Sequence, residues 1–311
     1  HQQATRQVPG HRFAWRFSIK PGTQQGQERK CGQLICDGEP CGHTSSQVDP
    51  QLRVSLALQL GDQRLQQLGL ASTKVSDYAH LETAYLFDRI MRSIDPQVAD
   101  RIRQQKVLCI LVAHDEFTSK VPQFKSDKTG KELDFYNWRS RGFLTRKDNR
   151  PVVLFAEEDV LEYEGGMQLE SILIHEFGHA IHEMGLSTTN PDFDQKLKNT
   201  FDQAIQSGLW KDTYAATSKE EYWAEGVQSW FDTNRENDSD HNYINTRSEL
   251  RDYDPALSTL LAGVFGDNPW RYTPPARRSN LPYLRNYDPK TAPTFSWSQP
   301  AKQRRNAPGT R

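Results

Sequence analysis

Two histidines four residues apart, in a stretch apolar enough to be buried, constrain this chain more than any other feature. Residues 172–185 read ILIHEFGHAIHEMG and contain His175-Glu176-Phe177-Gly178-His179. Leu169, Ile172, Leu173, Phe177, Ala180 and Ile181 recur at helical spacing, which predicts a helix over about 167–184 with Gly185 as its C-cap. On a helix, positions i and i+4 stand one above the other, so His175 and His179 aim their rings at one point. Glu176 lies about 100° further round. It is badly placed as a third ligand but well placed to reach a water held between the rings. Helices made for packing alone rarely bury two imidazoles one turn apart, because each ring needs a polar partner. H-E-x-x-H on a helix therefore points to a zinc ion, with Glu176 as a general base. His182, on the next turn and toward a different side, reads as structural or as part of a rim.

A catalytic zinc takes three protein ligands and leaves one position open. The metzincin arrangement needs Gly at 182 and His at 185; this chain has His182 and Gly185 and is excluded from that class. The remaining common solution is a glutamate on a later helix. Residues 213–232, TYAATSKEEYWAEGVQSWFD, supply candidates. Ser218 is placed to N-cap a helix, with Glu221 at the capping-box position. Glu221 and Glu225 share a face. One can bind the metal while the other holds a ligand histidine by its second ring nitrogen. Glu220 is the rival, off that face. Tyr222 and Trp223 either pack this helix or line a substrate groove.

These motifs together resemble the catalytic domain of anthrax lethal factor and the related Pro-Pro endopeptidases. There a "YA" pair precedes an E-[FY]-[FW]-A-E run, matched here by Tyr214-Ala215 and by Glu221-Tyr222-Trp223-Ala224-Glu225. The resemblance spans about residues 150–235. It implies a gluzincin-type, zincin-like domain with zinc bound by His175, His179 and Glu221, and Glu176 as base. It further implies Tyr214 as a hydrogen-bond donor in the transition state and Glu225 in support behind the ligands. The activity implied is zinc-dependent hydrolysis of peptide bonds in a peptide or protein substrate. Two other readings keep the scaffold: a binding protein without turnover, and a zinc hydrolase acting on a glycan or modified protein. For the last, aromatic residues at 210, 222, 223, 230, 270, 272 and 283 are candidates for a glycan surface.

The rest of the chain sets the frame. A short branched run at 106–114 predicts a buried strand, and 143–159 predicts two strands around a turn at Asp148-Asn149. Pro151 at the start of the second (152–156) places that strand at a sheet edge. Helical patterns occupy 51–68, 78–104, 191–207, 218–233 and 248–263. The expected fold is α+β, mostly helical with a small mixed sheet. Its parts are a cysteine-containing segment (1–46), a catalytic domain (47–267) and a Pro/Arg-rich tail (268–311). Net charge is −1 with opposite charges interspersed, which gives no case for nucleic-acid binding. No run of about 18 apolar residues exists to span a membrane. Of the four cysteines, Cys31, Cys36 and Cys41 cluster near the N-terminus. Disulfides and a secreted protein are the expectation, with Cys31, Cys36, Cys41 and His43 as a weaker metal alternative. Cys109, inside the apolar run, reads equally as a free buried thiol.

Overall fold

The computed structural model describes residues 35–36, 39–40, 52–57, 68–72, 74–139 and 141–296. The chain divides into two units, His1–Val48 and Asp49–Arg311. In the first, β1 (Ile35–Cys36) and β2 (Glu39–Pro40) pair antiparallel either side of the Asp37-Gly38 dipeptide. Cys31, Cys41 and His43 lie outside the described residues, and with them the expectations of a disulfide or a metal there.

The second unit is built on a five-stranded sheet in the order β3-β4-β5-β7-β6. Its strands are β3 (Leu52–Ala57), β4 (Leu68–Ser72), β5 (Leu108–Val112), β6 (Gly142–Lys147) and β7 (Arg150–Ala156). β4, β5 and β7 run parallel, while β3 and β6 close the two edges antiparallel. The helical reading of 51–68 is overturned at 52–57 and 68, which are strand; 51 and 58–67 lie outside the described residues. Leu52, Val54 and Leu56 alternate with Arg53 and Ser55, and that period of two won over the helix-forming Gln/Leu composition.

The edge assignment is also corrected. β7 is central, hydrogen-bonded to β5 on one side and β6 on the other. Pro151 is tolerated because the ladder with β5 begins only at the Leu108–Val152 pair, one residue later. The edge strand of this pair is β6. It joins β7 through Asp148 (φ 50°) and Asn149 (φ 62°), both left-handed as a tight hairpin turn requires.

Helices cover one face of the sheet. α1 (Asp77–Met91) and α2 (Pro96–Gln104) divide the predicted 78–104 helix at Pro96, which starts α2 behind the N-cap Asp95. α3 (Gly130–Arg139) precedes β6, and the short α4 (Glu157–Val160) follows β7. α5 (Ile172–Ala180) carries the two histidines and runs on as a π-helical turn, Ile181–Leu186, into α6 (Ser187–Thr189). α7 (Phe193–Gln206) and α8 (Lys219–Trp230) lie where the periodicity predicts. The predicted 248–263 helix is two, α9 (Arg247–Tyr253) and α10 (Pro255–Phe265), broken where Asp254 N-caps α10 ahead of Pro255.

The ends of the histidine helix differ from expectation. It begins at Ile172, where Ser171 Oγ accepts from Ile174 N at 3.3 Å, and Leu169 stands exposed ahead of it with φ 70°. Gly185 is no cap. A Cβ there would lie 2.7 Å from Val98 Cγ1, so the glycine lets α2 approach closely.

The sheet's period of two separates its contacts. Cys109 and Leu111 of β5, with Val153 and Phe155 of β7, join the helical core, while Leu108, Ile110, Val112, Val152 and Leu154 face the other side. Phe87 on α1 meets Phe155 and Phe177 with ring centroids 6.0 and 4.5 Å apart, tying α1, β7 and α5 into one cluster. Each such fully buried side chain contributes about 1.5–3 kcal/mol. Cys109 is free, and burial pushes its thiol up to about 12. Residues 268–296 pack on this same unit, burying Tyr272, Leu284 and Phe295. No helix among the described residues is long and apolar enough to cross a membrane.

Candidate metal centre

α5 and α8 build the site by packing on each other. The Trp223 indole N–H donates to Gly178 O at 2.8 Å, and a Cβ on Gly178 would already touch Val227 at 3.4 Å. This contact sets the face of α8 that meets the histidines. Ser218 caps α8, its Oγ accepting from Glu221 N at 3.1 Å. Glu221 does not spend its carboxylate on the cap and turns it toward α5.

Three donor atoms converge there. Glu221 Oε2 lies 3.0 Å from His175 Nε2 and 3.3 Å from His179 Nε2, and the two Nε2 atoms are 3.2 Å apart. Ligands held at about 2.0–2.1 Å around a tetrahedral zinc stand about 3.3 Å from one another. The triangle of 3.0, 3.2 and 3.3 Å is one face of such a tetrahedron, and the donor set of two imidazoles and a carboxylate suits the ion. Glu220, the rival, pairs instead with Lys219 at 2.7 Å.

Glu176 is buried beside this triangle, against the edge strand. The backbone N–H of Leu144 in β6 donates to its carboxylate, and a Cβ on Gly142 would lie 3.4 Å from its Oε1. Burial raises the Glu176 pKa, with His175 and His179 working the other way. Burial alone would also raise Glu221, but the bonds from His175 and His179 outweigh it and hold that carboxyl well below the usual range. Burial opposes charge on His175 too, yet its bonds to Glu221 and Glu225 lift its pKa well above that of an ordinary imidazole.

Tyr214 stands in a short 3₁₀ turn (Tyr214–Ala216) just before α8, its ring stacked 6.2 Å from that of His175. Its backbone N–H donates to Asp240 O at 2.7 Å. Glu225 approaches His175 Nδ1 at 3.4 Å, but a nearer partner was not foreseen: Gln228 Oε1 lies 2.8 Å from that nitrogen. Glu225 leans away toward Asn234 Nδ2 (2.9 Å) and His241 Nε2 (3.4 Å). Gln228 follows Glu225 by three residues and Glu221 by seven, a same-face spacing visible in the sequence, but a neutral amide carries no charge pattern to draw attention. His241 gave no signal, since a loop brings it in.

The other candidates fall outside the centre. His182 Nε2 binds Asp194 Oδ1 at 2.6 Å, its ring packed near Phe193 and Trp223. Tyr222 and Trp223 are fully buried, the Tyr222 hydroxyl donating to Asp254 Oδ2 at 2.6 Å, so both pack the helix. Trp210, Trp230 and Tyr272 are buried as well, which removes most of the proposed glycan surface. Asp238, Asp240 and His241 form a second group of possible ligands. There, however, His241 Nδ1 is taken by Asp238 at 2.8 Å and its Nε2 faces Glu225.

No family model and no curated protein matches this chain. Among solved structures it is similar to the Pro-Pro endopeptidase PPEP-2 from Paenibacillus alvei, at 18% identity and a TM-score of 0.40, over 63% of this chain and 96% of that one. A likeness of that strength carries neither fold nor activity across.

Proposed function

We propose that this chain is a zinc-dependent endopeptidase in which His175, His179 and Glu221 hold the metal and Glu176 is the general base. One observation carries the reading: three ligand atoms from two helices meet at tetrahedral spacing, with a buried carboxylate beside them. When bound, zinc supplies Lewis acidity that polarises the scissile carbonyl and lowers the pKa of the attacking water.

The chain's own residues do the rest. Glu176 takes a proton from the attacking water and returns it to the leaving amine nitrogen, so one carboxylate serves as base and then acid. Burial raises its pKa above that of an ordinary carboxyl, which makes it a better proton acceptor. Tyr214, stacked on His175, offers its hydroxyl to the developing oxyanion. β6 ends the sheet with Gly142 against Glu176 and its Leu144 N–H already given to that carboxylate; the rest of this edge supports an extended peptide substrate held by strand pairing. That role belongs to β6 and not to the 152–156 strand. Burial of the aromatic residues weighs against the glycan-directed reading.

The test is hydrolysis of a mixed peptide library by zinc-loaded protein, followed by mass spectrometry. Cleavage by the wild-type chain, abolished by a chelator and restored by zinc, is expected. Glu176→Gln should bind the same amount of zinc and lose at least about 10²-fold in rate. Turnover that survives this change would remove Glu176 as the base, and protein that binds no zinc would remove the proposal.

A further inference from the structure

A backbone carbonyl decides how the His175 ring is held. Gln228 is fully buried on α8, with Nε2 3.4 Å from Ser171 O and Oε1 2.8 Å from His175 Nδ1. A carbonyl oxygen only accepts, so the amide nitrogen must face Ser171 and the amide oxygen must face the ring. That oxygen also only accepts, which requires a proton on Nδ1. In the neutral ring the bare nitrogen is then Nε2, the atom aimed at Glu221 and His179. Ser171 is the N-cap of α5, the helix that bears the ring, so the anchor and the ring move together.

Glu225 is the competing partner, and its geometry is poorer. Its Oε1 is 3.4 Å from Nδ1, while its Oε2 accepts from Asn234 at 2.9 Å and faces His241 at 3.4 Å. We infer that Gln228, more than Glu225, is the positioning residue for His175, setting its tautomer and directing Nε2 to the metal. This rests on the zinc reading of the site.

The experiment measures metal affinity rather than activity. Metal-free protein is titrated with zinc against a chromophoric chelator, and with cobalt(II) to record its visible spectrum. Gln228→Leu, which keeps bulk and loses the acceptor, is expected to bind zinc about 10–100-fold more weakly and to alter the cobalt bands. Gln228→Glu keeps an acceptor oxygen for Nδ1 but sets its other oxygen against Ser171 O, so it should recover only part of that affinity. Glu225→Gln should cost less than Gln228→Leu. Equal affinity and an unchanged cobalt spectrum in Gln228→Leu overturn the inference while leaving the zinc site standing. A loss in Glu225→Gln as large as that in Gln228→Leu also overturns it, since Gln228 is then not the main partner of Nδ1. A measurement on the wild type needs no variant: ¹⁵N correlation spectra of the zinc-loaded protein should place the His175 proton on Nδ1. A proton on Nε2 refutes the assignment. Wild-type protein that binds no zinc sinks the function and this inference together.

Discussion

At the scale of single residues, the centre requires positive charge in a small volume. His175 Nε2, His179 Nε2 and Glu221 Oε2 face one another within 3.3 Å, and only a proton or a cation satisfies such a triangle. Without metal, the raised pKa of His175 supplies the proton. On the proposed zinc reading the metal must displace it, so binding competes with protonation and weakens as pH falls, by up to tenfold per pH unit for one proton. Calorimetry in buffers of different ionisation enthalpy should therefore find about one proton released per zinc at neutral pH; none released contradicts a protonated His175. Tyr214 gives a separate prediction. Tyr214→Phe removes the proposed oxyanion donor and should lower kcat about 10²-fold with zinc content unchanged. The histidine pair was legible because its geometry is local, i and i+4 on one helix. Glu221 was legible as far as its cap and its face. The role of Gln228 was not, because a hydrogen bond across 53 residues depends on how α5 and α8 cross.

At the scale of elements, the contact between β6 and α5 places Glu176, the proposed base. A Cβ at Gly142 would stand 2.3 Å from Ile172 Cγ2, so a larger residue fits only if the Ile172 side chain, the strand or the helix shifts. Ile172 is the first residue of α5 and Glu176 follows one turn later on the same face. Gly142→Ala should therefore destabilise by about 1–3 kcal/mol through overpacking. It should also lower peptidase rate by more than zinc affinity, because it displaces Glu176 and not the histidines. A melting curve, a zinc titration and a rate assay on one preparation separate these effects; loss of zinc with unchanged rate per bound metal would count against the argument. Elements were read well where their signals are local, as in the Asp148-Asn149 turn, α7 and α8. They were misread where a neighbour decides. Pro151 sits just before its ladder with β5, and Gly185 answers to Val98 on α2 rather than to the end of its own helix.

At the scale of the whole molecule, a stretch without apolar periodicity is tied down by scattered polar and aromatic contacts. Arg278 reaches into α1 and pairs with Glu82, both buried, while Tyr283 donates to the other Glu82 oxygen at 2.8 Å. The guanidinium also lies 4.8 Å from the Tyr85 ring. Further along, Phe295 N donates to Glu164 O at 2.8 Å, and Gly165 passes so close that a Cβ would meet Phe295 O at 2.2 Å. None of this shows in the sequence, where 268–296 reads as Pro- and Arg-rich coil, because one buried ion pair has no periodic signature. Burial raises the Glu82 pKa despite Arg278, so desolvation consumes much of what the pair gains. A buried pair of this kind is worth little against apolar replacements and costly to break on one side. Arg278→Met strands a buried carboxylate and should cost about 3–5 kcal/mol in denaturant unfolding. Adding Glu82→Gln removes the stranded charge, and the double variant should be more stable than Arg278→Met alone. A double variant as unstable as the single would show that the loss is one of packing around Tyr85 and Tyr283, not of charge. Zinc affinity, read below the melting transition, should stay at the wild-type value in both, because Glu82 and Arg278 touch none of the side chains proposed to hold the metal.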